Sequence, residues 1–465
     1  MKICFFDRCN LVYLYGAIDN ALSNKYKFVH VAYSQIEYDV LINEFHIPST
    51  RVVNFKKLLS EYISKDYSEF DFDNLDILIQ ESTEQRFNMN LSIQVDRGLK
   101  YKTYDESANL YAALYSFWDE YFEKENPNIV IHEMVSLSIN HICAVVAKMK
   151  KILYVNEIQV PGLFDTNLFF ANYWGGKPVY TKDIDENIQS KVEKYVLDFN
   201  NRKQNVLCGN MFKTKTAKQY LFSAIKRYFS LKMNSSKYTN LVDYVENFIE
   251  NDRSIIDKYR NLKKYSQVRW DSFDKTKKYY YYPFHLEPEA AVFFWGDGIY
   301  ANQIKLIQNI AASLPPNTYL YVKDHPHNIG YRNYEDYLQL KQVNNIKVLY
   351  AQESGYEIIK HSKGVITING SAGFEALLMN KPVFCFGNPY YENFNNVIKI
   401  KNIRDLRSLL KKQKPMLSNK NNFLHFFSNV YEGNVAIYYR QKSSANENLK
   451  KVIDSYDSYF SSFGK

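Results

Sequence analysis

Short apolar runs alternate along this chain with stretches in which apolar residues return every three or four positions, the pattern of strands interleaved with helices. Strand candidates lie at 2–6, 28–33 and 51–55, with helical spacing at 13–22 and 37–44 between them. A long helical pattern occupies 107–125, Asn126-Pro127 breaks it, and a strand follows at 129–132. A helix at 138–149 and a strand at 152–155 continue the series. From 181 to 275 the pattern is helical and charged, without strand alternation. Alternation then resumes, with strands expected at 280–284, 319–323, 346–350, 365–368 and 383–386 and helices at 303–313, 356–362 and 373–379. The reading is two α/β domains, 1–180 and 276–402, joined by a helical insertion at 181–275. A helical tail, 403–465, is expected to cross back to the first domain.

Composition narrows this picture little. The length of 465 residues suits two domains, each with its own core, and an apolar share of 46% is ordinary for a soluble globular protein. The 41 Tyr and 31 Phe are read as compositional bias without functional weight. Five scattered cysteines, Cys4, Cys9, Cys143, Cys208 and Cys385, form no C-x-x-C pair and fit a reducing cytoplasm. The opening MKICFFDRCN is interrupted too soon by Asp7 and Arg8 to be a signal peptide, and no window approaches the ~20 apolar residues that span a bilayer. A cytoplasmic protein is expected.

Charge adds one feature. The net charge is +9, and residues 201–240 hold nine Lys or Arg and no Asp or Glu. Within them, 217–233 sets Leu221, Ile225, Tyr228 and Leu231 at helical spacing. A basic amphipathic helix suits an anionic lipid surface; it equally suits packing on a neighbouring domain with its charges solvated. Nucleic acid is not expected, because no binding motif accompanies the charge.

The candidate chemistry sits at strand ends. YLYVKDHPHN (319–328) runs from a strand into Lys323-Asp324-His325-Pro326, and the proline restricts the His325 backbone to extended geometry. VITINGSAGFEALLMNKPVFCFG (365–387) runs from a strand through Gly370-Ser371-Ala372-Gly373 into a helix carrying Glu375. In open α/β sheets ligands bind beyond the carboxyl ends of the strands, and backbone N–H groups at a helix start attract anions. The pair therefore suggests a phosphorylated ligand. Ser371 equally suits an N-cap, and Glu375 a first-turn carboxylate favoured by the helix dipole; alternatively Glu375 accepts hydrogen bonds from ribose hydroxyls. His325 and His327 have no carboxylate cluster beside them, so no metal is expected. Glu287, Glu289 and Asp297 also lie beyond strand ends. In the first domain Asp7, Glu133 beside His132, and Glu157 close apolar strands and are the candidates for a general base or nucleophile.

Two α/β domains facing each other across a cleft describe the GT-B fold, although alternation alone also allows periplasmic-binding-like and epimerase folds. PFHLEPEAA (283–291), LYVKDHP (320–326) and VITINGSAGFEALLMNKPVFCFGNPYY (365–391) resemble the capsule polysaccharide biosynthesis family, which includes bacterial Kdo and nonulosonic-acid transferases. The resemblance covers about 110 residues. It implies a GT-B glycosyltransferase of capsule or lipopolysaccharide synthesis, with a nucleotide-sugar donor that is CMP-linked in members of known chemistry, no cofactor or metal, and a glycan or lipid-linked acceptor. The donor side would be 276–402 and the acceptor side 1–180. His325 would match the family's donor-phosphate histidine, and Ser371 and Glu375 its following Ser and Glu; Lys323, Gly370, Ala372, Gly373 and Glu289 complete the expected donor set. The first half shows no comparable match, so Glu133, Glu157 and Asp7 stay open as the catalytic carboxylate. UDP- or GDP-sugars, a CDP-polyol, a nucleotide-sugar epimerase and a non-catalytic assembly protein also stay open. In the transferase reading, the basic 201–240 segment would bring the protein to the inner face of the membrane.

Overall fold

The computed structural model describes the whole chain except 100–101, 173–178, 180–181, 203–217, 220, 223–251, 288–291, 297, 413–415, 441–445 and 465. In chain order the first part runs β1 (Lys2–Asp7), α1 (Leu11–Leu22), β2 (Lys27–Ala32), α2 (Gln35–Asn43), β3 (Val52–Asn54), α3 (Phe55–Ile63), α4 (Phe72–Ser82), α5 (Met89–Val95) and α6 (Tyr104–Glu125). β4 (Ile129–Ile131), α7 (Ser138–Met149), β5 (Leu153–Gln159) and β6 (Asn167–Asn172) follow. The middle holds α8 (Gln189–Asn200), α9 (Asp252–Tyr265), β7 (Tyr279–Pro283), α10 (Gln303–Ser313), β8 (Tyr319–Lys323), α11 (Tyr334–Lys341) and β9 (Ile346–Leu349). It continues through α12 (Gly355–His361), β10 (Val365–Thr367), α13 (Ser371–Leu378), β11 (Val383–Cys385) and β12 (Val397–Lys399). The tail is α14 (Leu406–Lys411), α15 (Lys420–Ser428), β13 (Tyr431–Glu432), α16 (Ala436–Arg440) and α17 (Asn446–Ser461).

These residues form two compact units, one built from 1–186 with 425–465 and the other from the described part of 187–424. The described helical stretch after 186 and the tail up to Leu424 thus belong to the second unit. Most of the basic 201–240 segment, with its amphipathic 217–233, lies outside the described residues, as do Glu289 and Asp297.

In the first unit the described strands stand in the order β13-β6-β5-β4-β1-β2-β3, parallel from β3 to β5 and antiparallel at β6 and β13. The second unit's sheet is β12-β11-β10-β7-β8-β9, parallel throughout. Counted from β7 its order reads 3-2-1-4-5-6, so both units are Rossmann-like. Each chain path reverses beside its first strand, at β1/β4 in one unit and β7/β10 in the other. Such a switch point opens a crevice at the strands' carboxyl ends.

Local chemistry explains the boundaries. α6 starts in a capping box, with Thr103 N donating to Glu106 Oε2 at 2.8 Å and Glu106 N to Thr103 Oγ1 at 3.2 Å. It stops at Asn126, whose left-handed φ of 43° precedes Pro127. In β7 the run Tyr279–Tyr282 is wholly buried. Tyr279 stacks on Tyr321 with ring centroids 4.2 Å apart and donates to the Ile358 carbonyl at 2.7 Å. Part of the tyrosine excess is thus core whose hydroxyls find acceptors.

The C-terminal segment is core as well. Tyr456, Tyr459 and Phe460 of α17 join the cluster formed by Phe5, Tyr15, Phe28 and Phe170, and Tyr459 stacks on Phe170 at 3.9 Å. Burying side chains of this size contributes about 1.5–3 kcal/mol each, so the first unit's sheet is completed by residues nearly 300 positions away from it in sequence.

Candidate functional site

At the switch point of the first unit, β1 ends in Asp7 and Arg8 follows, while β4 leads into His132 and Glu133. Arg8 forms an ion pair with Glu133, and both side chains are largely covered. Glu133 is fixed at its backbone too: its N–H donates to His132 Nδ1 at 2.7 Å and its carbonyl accepts from Tyr154 OH at 2.6 Å. His132 in turn stacks on Phe6, ring centroids 3.9 Å apart. The Glu133 carboxylate is therefore the strand-end acid that remains at the edge of the sheet, oriented from three sides.

Asp7 is fully buried. It lies 3.0 Å from His30 Nδ1, and the other ring nitrogen lies 3.0 Å from Asp19, which Arg51 also contacts at 2.9 Å. Burial works against charge on His30, but the two carboxylates outweigh it and hold the imidazole up at about 9. Burial pushes Asp7 up to about 6, with His30 restraining the rise. Glu157 does not close its strand: β5 runs two residues further, and the side chain points into the core. Its Oε1 accepts from Tyr15 OH at 2.9 Å and from Tyr456 OH, while burial pushes the carboxyl up to about 8. Asp7 and Glu157 are thus fully enclosed, each with one oxygen left without a partner among the described residues, whereas Glu133 is half-buried and held by Arg8.

In the second unit β7, β8 and β10 deliver three loops to one edge. After β8, Asp324 is buried and acts as a hub. Its oxygens accept from His325 N at 2.7 Å, Asn328 Nδ2 at 3.3 Å, Arg332 Nε at 2.9 Å and Tyr337 OH at 2.5 Å. The His-Pro turn is thereby set by its own preceding residue. Arg332 reaches on to Glu287 Oε2 at 2.9 Å and lies over the Phe284 ring at 3.9 Å. Lys323 Nζ donates to the Ala351 carbonyl at 3.0 Å; burial lowers its affinity for the proton, and Asp324, Glu375 and Glu353 oppose that.

α13 starts at Ser371, two residues earlier than the sequence pattern predicts. Ser371 is therefore the first helical residue and Gly370 the cap, and Glu375 falls beyond the first turn. The helix dipole does not account for Glu375. Its carboxylate makes no hydrogen bond to a described residue, and burial pushes it up to about 7 while Lys323 pulls it back. Of the amides here, Asn369 N donates to His285 Nε2 at 3.0 Å, Gly370 N to Thr367 Oγ1 at 3.0 Å and Gly373 N to the Gly370 carbonyl at 3.0 Å. Those of Ser371 and Ala372 have no partner among the described residues. Gly373 serves packing: a Cβ there would overlap the Tyr391 hydroxyl, which donates to the Gly370 carbonyl at 2.5 Å.

The structure therefore brings together Lys323, His325, Gly370, Ser371, Ala372 and Glu375 in one unit and holds Glu133 in the other. Sequence reading missed His285, Gln303, Asp324 and Arg332 as organisers. His285 and Asp324 stand inside the quoted motifs, but the role of His285 depends on partners 18 to 84 residues away, and that of Asp324 on Arg332 and Tyr337, which lie outside its motif. Among the described residues no cluster of three or more His, Cys, Asp or Glu side chains is arranged to hold a metal ion, and no helix is long and apolar enough to cross a membrane.

Comparison with known proteins adds a family. The model described as "Capsule polysaccharide biosynthesis protein" matches residues 193–426, which include every second-unit side chain placed in this site. The capsule polysaccharide export protein KpsS of Escherichia coli is 32% identical over 97 residues, 20% of this chain and 24% of that protein, so the match spans about a quarter of the relative's length. A β-Kdo 2,7 transferase structure, KpsC of Thermosulfurimonas dismutans, is 16% identical with a TM-score of 0.33, over 72% of this chain and 88% of that one. A UDP-GlcNAc 2-epimerase of Methanocaldococcus jannaschii is 11% identical with a TM-score of 0.25, over 92% and 97%.

Proposed function

Because the chain belongs to the capsule polysaccharide biosynthesis protein family, we propose that it is a glycosyltransferase of bacterial surface polysaccharide synthesis using a nucleotide-activated donor. The observation that carries this reading is the set of open groups in the second unit. The Ser371 and Ala372 amides and the Glu375 carboxylate lack hydrogen-bond partners among the described residues, beside Lys323 and His325. Preorganised N–H groups and a cation stabilise charge developing on a leaving phosphate. A buried carboxylate without donors is suited to ribose hydroxyls. In this reading the fold is GT-B, the donor lies in the second unit, and no metal is invoked.

Glu133 is the residue we assign to the acceptor, as the base that takes its proton or the nucleophile that attacks the sugar. The donor we favour is a CMP-linked 3-deoxy-ulosonic acid, Kdo or a nonulosonic acid, on the strength of the three family motifs. Thermal shift with CMP, CDP, UDP and GDP compounds tests it. Stabilisation by cytidine nucleotides is expected, stabilisation by UDP or GDP alone would change the donor, and silence from all of them would overturn the transferase reading. Incubation with donor alone, yielding an epimer, would replace transfer by epimerisation.

We also assign the acceptor to a lipid-linked glycan at the inner membrane face, reached through the basic 201–240 segment. Liposome binding should then be salt-sensitive and vanish on charge reversal across 213–232; unchanged binding by that variant refutes the membrane role.

A further inference from the structure

His285 stands just past β7, and Asn369 just past β10, so the hydrogen bond between them spans the switch point of the second sheet. A backbone N–H can only donate. Nε2 of His285 must therefore accept from Asn369 N, 3.0 Å away, and the ring hydrogen sits on Nδ1. Thr367 Oγ1 lies 3.2 Å from the same Nε2 and accepts from Gly370 N at 3.0 Å, which leaves its own hydrogen for the imidazole. Together His285 and Thr367 occupy the amides of Asn369 and Gly370. The next two, Ser371 and Ala372, are the ones left for a ligand.

The His285 backbone is itself held in place. Gln303 bonds the His285 backbone on both sides, N–H to Oε1 at 2.9 Å and Nε2 to the carbonyl at 3.2 Å. Gln303 Nε2 also donates to Glu287 at 2.6 Å, and Glu287 binds Arg332, which binds Asp324. One buried polar chain thus runs from the glycine turn after β10 to the His-Pro turn after β8. Burial pushes the imidazole down to about 4 against the opposing pull of Gln303, with the nearby Arg332 guanidinium adding to the fall, which keeps it an acceptor.

We propose that His285 is a positioning residue that sets which α13 amides meet the ligand's phosphate and ties that turn to the His325 turn. The proposal rests on the nucleotide reading above, and its test separates the two. His285→Leu removes the acceptor, His285→Gln keeps one at a similar reach, and Thr367→Val cuts the same link with a smaller change of shape. Affinities for CMP and for cytidine are compared by calorimetry, and amide exchange is followed across 365–374. H285L should bind CMP about tenfold more weakly, the scale of a misplaced charge-assisted hydrogen bond, while cytidine binding changes less than about twofold. H285Q should lie within about threefold of wild type on the same scale, and T367V should fall between. Exchange at Asn369 should rise in H285L and at Gly370 in T367V, and at neither in H285Q.

Equal loss for CMP and cytidine, or no rescue by H285Q, would overturn the positioning role. If H285L does not fold, T367V decides by the same two ratios. If wild type binds neither CMP nor cytidine, the cytidine donor fails and the same ratios are read with the nucleotide that thermal shift selects, and unchanged exchange at 369 and 370 would sink the inference separately.

Discussion

The two units carry polar groups at the same topological place and use them differently. At the β1/β4 switch point an ion pair, Arg8–Glu133, bridges the strands, and the neighbouring acids Asp7 and Glu157 are enclosed with hydrogen-bonding partners. At the β7/β10 switch point a neutral hydrogen bond from Asn369 N–H to His285 does the bridging, and the groups beyond it are left open. A buried acid in a strand stabilises only when its oxygens are paired or protonated; an unpartnered amide or carboxylate at a strand end is available to a ligand. Counting acidic residues at strand ends therefore overstates the reactive set of the first unit. Counting glycines overstates the phosphate contacts of the second.

The contrast between Glu133 and Glu157 can be broken most directly. Removing a positioned base lowers transfer by about 10²–10⁴-fold, so Glu133→Gln should lose that much activity in a transfer assay. Glu157→Gln keeps an acceptor for Tyr15 and Tyr456 and should stay within about twofold of wild type, since a neutral isostere in a neutral site changes little. The reverse ranking would move the chemistry to Glu157 and dismantle the comparison.

A smaller effect should appear in stability against pH. His30 has a folded value raised to about 9. Its contribution is fully present below the unfolded value of about 6.5 and is lost as pH rises through about 9. Glu157, raised to about 8, pushes in the same direction up to that pH, whereas Asp7, raised only to about 6, has given up its proton by neutrality and acts below it. Unfolding followed by exchange in β1 and β2 should therefore show the first unit weakening from neutral pH to about 9. His30→Gln should flatten that slope; a slope unchanged by it would remove His30 from the account.

The smallest effect concerns Glu375. With its carboxyl held up at about 7, the ionised acceptor form grows as pH rises through neutrality. Nucleotide affinity should improve severalfold from about pH 6 to 8, and Glu375→Gln should lower affinity at pH 8 and abolish the dependence. A wild-type affinity that is flat over this range would take Glu375 out of the ligand's reach.

Much of this molecule could be read from its residues. Alternating apolar runs located β1, β2, β4, β7, β8, β9, β10 and β11 to within a residue or two, because parallel strands buried on both faces are continuous apolar stretches. The pattern was silent over 56–106, where α3, α4 and α5 lie; it missed β12 and β13, which are short and sit at sheet edges, and β6, which runs antiparallel between β5 and β13. The strand-end motifs and the family resemblance were likewise present in the linear chain, since turn and cap chemistry is local. Tertiary structure alone decided how those residues are employed. It put α17 into the first unit's core, enclosed Glu157 beneath Tyr456, moved the start of α13 to Ser371 and made His285 the acceptor for Asn369. The Tyr456–Glu157 bond joins residues 299 positions apart and the Asn369–His285 bond residues 84 apart, and hydrogen-bond satisfaction over such separations is a property of packing that no local pattern encodes.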